Sequence, residues 1–250
     1  MTATVFGAGG YRYAPGVSQY SAGVAAQPGF ALHRVCFSTP LPLAQGFELI
    51  EAHLNGLGRP AQAFCACELR SPAPFTEQGF RDFNEIYIDT LKQWRIFLDG
   101  VNPVARSNVC PQIAPPTEPS IHAFSYTMPD TNAQPSFVVA GSAEAPEGHG
   151  SYREVTVALG DLSIKGLRKK MTFVIDEMQR RMRQLGFDWP DVTATQIYTI
   201  HDFHSLLAEQ FKATKALRHG LTWHFNRPPV VDLEYEMDCR AVFQEHVIKV

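Results

Sequence analysis

The chain carries one apolar pattern twice. Leu43, Phe47, Ile50, Leu54 and Leu57 are followed by Gly58; Met171, Ile175, Met178, Met182 and Leu185 are followed by Gly186, each pair 128 positions apart. Intervals of 4, 3, 4 and 3 place each series on one helical face. A glycine directly after the last apolar residue marks a helix stop, because it accepts left-handed dihedrals without a side-chain clash. The register then runs on unbroken: residues 64–69 lie over 192–197, and both read as strands. A repeat of this kind predicts a duplicated module. The 250 residues divide into 1–130 and 131–250, with the boundary at the polar, proline-bounded segment 129–135.

At 45% hydrophobic residues each half can bury its own core, and a net charge of −3 carries no footprint for nucleic acid or an anionic membrane. The basic group Lys165, Arg168, Lys169, Lys170, Arg180, Arg181 and Arg183 surrounds the second apolar series and reads as a solvated outer face. The N-terminus has neither a charged n-region nor an apolar h-region, and no apolar run is long enough to span a bilayer. A cytoplasmic location is expected. The five cysteines lack metal-finger spacing, and Cys65 and Cys67 share one strand face as small hydrophobes.

In the first half, strands are predicted at 21–25 and 31–37 around a turn at 27–29. A helix over 43–57, a strand at 63–69, a helix over 76–94 and strands at 104–109 and 121–127 follow. Phe80, Phe83, Ile86, Tyr87 and Leu91 share one side of the second helix. The second half is predicted to repeat the order: strands at 137–140 and 153–159, a helix over 164–185, a strand at 192–200, a helix over 202–213, and paired strands at 218–225 and 231–242. The class is α+β, each half a mixed sheet with two helices on one face.

This order, with Ala14-Pro15, Ser18-Gln19-Tyr20-Ser21, Pro103-Val104-Ala105-Arg106-Ser107 and Leu233-Glu234-Tyr235-Glu236, resembles the YjgF/RidA superfamily of enamine/imine deaminases. The resemblance covers nearly the whole chain, once per half, with Lys215-Ala216-Leu217-Arg218 standing where the first half has its arginine motif. It implies two tandem YjgF/RidA-like (chorismate mutase-like) modules. In that superfamily an arginine clamps a substrate carboxylate and a glutamate on the last strand positions water. By matching, Arg218 and Glu234 are the implied catalytic pair, and Arg106, Tyr20 and His122 are implied substrate contacts, His122 standing where the first half lacks the glutamate. A site shared between the halves, with Tyr20 contributed to Arg218 and Glu234, is one arrangement this allows. Superfamily members are usually trimers, so a homo-oligomer built on threes is expected.

The residue chemistry is compatible with that assignment. Arginine offers a planar fork for a carboxylate and stays charged at any relevant pH. A partly buried glutamate can take the proton of water adding to an imine carbon. Neither metal nor cofactor is required. The double-length chain resembles the deaminases of 2-aminomuconate and its chlorinated forms, whose dicarboxylate substrate would suit two arginines. Arg218 and Glu234 would equally suit a cross-strand ion pair that only locks register. A non-catalytic metabolite-binding module and a chorismate hydrolase-like enzyme are the alternative functions. In the segment 201–204, Asp202 reads as a helix cap rather than, with His201 and His204, as part of a metal site.

Overall fold

The two glycine stops close their helices identically. In the computed structural model, which describes residues 3–148, 150–212 and 214–250, Gly58 and Gly186 have φ of +65° and +84°. The N–H groups of Gly58 and Arg59 donate to the carbonyls of Asn55 and Leu54; those of Gly186 and Phe187 donate to Arg183 and Met182. Both ends are the same Schellman motif, which satisfies two carbonyls that the helix leaves unpaired.

The first half contains strands β1 (Thr4–Phe6), β2 (Tyr11–Ala14), β3 (Gly23–Ala26) and β4 (Phe30–Pro42), helix α1 (Leu43–Gly56), β5 (Phe64–Arg70), α2 (Glu77–Gln93), β6 (Ala105–Pro111) and β7 (Ser120–Pro129). The second contains β8 (Phe137–Ala143), the single turn α3 (Tyr152–Val155), α4 (Ile164–Gln184), β9 (Ala194–Tyr198), α5 (Leu207–Phe211), β10 (Thr222–His224), β11 (Asn226–Arg227), β12 (Glu236–Ala241) and β13 (Gln244–Ile248). One sheet runs β4-β7-β5-β6 and the other β8-β12-β9-β10, each with its last two strands parallel. The α+β architecture of two mixed sheets with helices is therefore observed.

The sheets also exchange strands. The β1-β2-β3 segment extends the second sheet through β3 against β8, while β13 and β11 extend the first sheet at its two edges. The turn at 27–29 thus passes the chain from one sheet to the other, closed by Phe30 N–H to Gln27 O with Gly29 at φ +87°. Two helix-on-sheet cores result. One gathers Phe47, Ile50, Leu54, Phe83, Tyr87 and Leu91; the other gathers Met171, Val174, Met178, Met182, Trp189 and Tyr235. A third cluster lies where the sheets meet: Tyr11, Tyr13 and Val24 from one, Leu32, Cys65 and Ala105 from the other.

Several expected elements differ. Residues 153–159 form no strand. Ser151 and Glu154 make a reciprocal capping box that starts α3 instead. The segment 218–225 opens as a 3₁₀ turn, Ala216–His219, and only β10 is extended. It pairs with β9 rather than with residues 231–242, whose strand part β12 lies between β8 and β9. The helix over 202–213 is reduced to a 3₁₀ turn and the short α5, with residue 213 outside the described residues. Ile86 faces solvent, 65% exposed, beside the buried stripe of α2. The basic face of α4 is not wholly solvated: Lys170 and Arg181 are fully buried. Among the described residues no helix is long and apolar enough to cross a membrane.

Candidate active site

Arg106 stands on β6, and its neighbours come from the apolar stripe of α2. Phe80, Phe83 and Tyr87, spaced 3 and 4 apart, place their rings 5.6, 5.6 and 4.8 Å from its guanidinium carbon, and Tyr20 adds a ring at 4.9 Å. Such contacts stabilise a desolvated cation but accept none of its N–H groups. Both Nη atoms are buried with no hydrogen-bond partner among the described residues. A buried guanidinium without an anion is costly, and here it borders open space.

That space is a narrow pocket with about 410 Å³ of empty volume, the open solvent at its mouth included. Its polar lining is Arg106, Asn108, Tyr20, Tyr152, Glu147 and Glu236. Ala143, Ala145, Val230 and Leu233 form an apolar side. A wider vestibule of about 960 Å³, sharing Tyr20, Phe80, Glu147 and Tyr152, leads outward past Gln19 and Arg81. Arg106 and Tyr20 come from the first half of the sequence, Glu147 and Glu236 from the second.

Glu236 is the first residue of β12 and is 3% exposed. Burial, reinforced by the charges of Asp238 and Glu147, holds its carboxyl well above the ordinary carboxylate range and so favours its protonated form. No hydrogen bond or ion pair engages its side chain among the described residues. Its Oε1 lies against the Cα of Gly141, where any Cβ would overlap it. Asn108 accepts from Ser71 Oγ at 2.9 Å through Oδ1 and keeps Nδ2 unpartnered among the described residues. Tyr20 Oη donates to Glu147 Oε1 at 2.6 Å, and Arg181 Nη2 lies 3.1 Å from the same oxygen. Burial also raises the phenols of Tyr20 and Tyr152, the latter to about 12, so both remain O–H donors.

The structure does not bring Arg218 and Glu234 together. Arg218 is exposed in the 3₁₀ turn and borders an apolar groove with Leu207, Phe211 and Leu217. Glu234 Oε2 lies 2.6 Å from His201 Nε2 and accepts from Arg227 Nη1 at 3.0 Å. Neither lines the Arg106 cavity. The physical reason is Glu144, a buried carboxylate that accepts the N–H groups of Glu234 and Tyr235 and delays the strand until Glu236. His122 also lies elsewhere. It is the residue skipped at a β-bulge in β7, with its Nε2 3.6 Å from Cys36 Sγ. Burial and the charge of Arg70 push its pKa down to about 3, leaving it neutral. Asp202 accepts the His204 N–H at 3.1 Å, but it is not the helix cap its position suggested: the 3₁₀ turn is capped at Phe203 without a side-chain bond.

Among the described residues the other sheet does not repeat this arrangement. The 128-residue offset equates Leu69 with Ile197 and Arg70 with Tyr198. Tyr198 pairs with Glu236, whereas Arg70 pairs with Ser120, so the first sheet has serine where the second has its glutamate. Leu69 pairs with Asn108 and Ile197 with Trp223; continuing that register puts Leu221 in the place of Arg106. The equivalent positions therefore hold neither a cation nor an acid.

The chain is 50% identical over 248 residues to the 2-amino-5-chloromuconate deaminase of Comamonas testosteroni, covering 98% of this chain and 99% of that protein. Among solved structures it is similar to a chorismatase, at 12% identity and a TM-score of 0.46 over 97% of this chain and 80% of the other. It is also similar to the E. coli YjgF gene product, at 14% identity and a TM-score of 0.32 over 44% and 81%. The family described as 2-aminomuconate deaminase CnbZ matches residues 3–246. The chain belongs to the 2-aminomuconate deaminase CnbZ family.

Proposed function

We propose that this chain is a cofactor-independent hydrolase of C–N bonds that deaminates 2-aminomuconate or its 5-chloro derivative, with Arg106 and Glu236 as its central pair. The carrying observation is the buried, anion-free guanidinium of Arg106 facing the unpaired carboxyl of Glu236 across one cavity. In this reading the Nη atoms hold the carboxylate beside the reacting carbon as a bidentate pair. The protonated Glu236 gives its proton to the enamine carbon, which converts C=C–NH2 into an electrophilic iminium. The carboxylate so formed takes a proton from water as the water adds to the nitrogen-bearing C=N carbon, and Glu236 is reset. Asn108 Nδ2 and Tyr152 Oη are donors for the remaining oxygens, and the Ala143, Ala145 and Leu233 side receives the hydrocarbon or a chlorine substituent.

We further place the chain in the cytoplasm as a homo-oligomer built on threes. Its five cysteines are all free thiols, and Trp223, Phe225 and Val247 expose apolar surface at the open sheet edges. The test is ammonia release from enzymatically generated 2-aminomuconate. Wild type should release ammonia, Glu236→Gln should fall about a hundredfold or more, and Arg218→Ala should stay within about twofold, as expected for an exposed residue away from the site. A collapse in Arg218→Ala with Glu236→Gln intact would overturn this assignment.

A further inference from the structure

Glu236 accounts for two proton transfers, but hydrolysis of a C–N bond needs a third. After water adds, the carbon carries both OH and NH2, and ammonia leaves only when the hydroxyl proton reaches nitrogen. Glu236 is protonated again at that point and cannot accept it. The cavity holds one other carboxylate. Glu147 accepts the Tyr20 hydroxyl at 2.6 Å, and both residues line the cavity with Arg106 and Glu236.

Glu147 is held by an arginine that has no freedom to turn away. Arg181 is wholly buried, and its Nε donates to Glu177 Oε1 at 2.8 Å. Its Nη1 donates to the carbonyls of Ala140 and Gly141 at 3.3 and 3.2 Å, and its Nη2 donates to Ser142 Oγ at 3.1 Å. The Gly141 backbone is the surface against which Glu236 rests. One guanidinium therefore fixes Glu147, and through it the Tyr20 hydroxyl, relative to the Glu236 carboxyl. The vestibule passes between Tyr20, Glu147 and Tyr152, giving the departing amine a way out beside them.

We propose that Tyr20 and Glu147 form a second proton-transfer arm that moves the carbinolamine hydroxyl proton to the leaving amine, with Arg181 as the residue that positions it. This rests on the hydrolytic reading of the same site. The Tyr20 oxygen takes the proton from the carbinolamine O–H while passing its own to Glu147. A proton returns through Tyr20 from Glu147 to the nitrogen, and as it arrives the C–O pair closes to C=O and the C–N bond breaks, so that NH3 departs and Glu147 and Tyr20 end as they began.

The experiment separates the early steps from the last one. The substrate is 2-aminomuconate in deuterated solvent; loss of dienamine absorbance and deuterium entry into product report carbon protonation, and ammonia is assayed in parallel. Tyr20→Phe keeps the ring over Arg106 and the Glu147–Arg181 pair. It should protonate carbon within about threefold of wild type and release ammonia about a hundredfold more slowly, and Glu147→Gln should do the same. Glu147→Asp should recover part of the ammonia rate, and circular dichroism confirms folding of each variant. If both readouts fall together, or neither moves, Tyr20 and Glu147 are structural and the proposal fails. If wild type consumes no dienamine, the hydrolytic reading itself fails and takes this one with it.

Discussion

Replacing Arg106 by methionine separates what the arginine does for folding from what it does for substrate. Both Nη atoms are buried without a partner among the described residues, and leaving two polar groups unsatisfied costs about 2–6 kcal/mol. The four surrounding rings return about 0.5–2 kcal/mol as cation–π attraction. Methionine keeps the aliphatic stem and gains about 0.3–1.5 kcal/mol of sulfur–aromatic contact. At mid-range the balance makes Arg106→Met more stable by about 3–4 kcal/mol, and each kcal/mol raises Tm by about 2–4 °C in a chain of this size. Activity moves the other way. Losing two charge-assisted hydrogen bonds to a carboxylate, at about 1.5–3 kcal/mol each, lowers kcat/KM by about 10²- to 10⁴-fold. Calorimetry of the ligand-free protein and initial rates on 2-aminomuconate test both signs in one preparation. A variant that melts earlier and keeps wild-type kcat/KM would refute the reasoning, because Arg106 would then be a structural strut.

Gly141→Ala places a methyl group on Glu236 Oε1 and 3.2 Å from the Cα of Ser107. It should lower kcat/KM by about a hundredfold through misplacement of the acid, at a stability cost of about 1–3 kcal/mol for overpacking; rates and urea melts check both. Glu236 also gives the protein a pH signature. Because burial raises its folded pKa above the unfolded value, its contribution is fully present below the unfolded value and is lost as pH rises through the folded one. Wild type should therefore lose Tm relative to Glu236→Gln on going from acid towards alkaline pH. Parallel Tm curves for the two proteins would show that Glu236 is ionised at rest.

The helical repeat was fully legible because periodicity and a glycine stop are local signals, and α1 and α4 end as they predict. The strand exchange was not, since nothing local to residues 11–26 says which sheet they join; the tight turn at 27–29 fits either. Arg106 and Tyr20 could be read from motifs, but Glu236 could not be separated from Glu234 by pattern, because both fall on one face of an extended strand. The deciding group is Glu144, 90 residues away in sequence, whose carboxylate holds the backbone of 234 and 235 out of the ladder. Arg181 reads as part of a solvated face, although its spacing carries a contrary signal. With Leu167, Lys170, Val174 and Met178 it follows helical spacing along the edge of the apolar stripe, a position that buries a charge only where a partner carboxylate meets it. Glu147 lies in an irregular loop and carried no signal of its own.

In the proposed function, one arginine and one glutamate from opposite halves give a two-module chain a single site. A module standing alone would have to supply cation and acid from its own sequence; two fused modules can divide them, and each then loses one without loss of the cavity. The first half keeps Arg106 and holds Ser120 where the acid would be, and the second keeps Glu236 and holds Leu221 where the cation would be. The strand exchange makes that division stable, because β3 pairs with β8, the strand bearing Gly141, while Tyr20 just before β3 lies over Arg106. Separating the halves would therefore break the second sheet and the site in one step, so sheet and site depend on the same fusion.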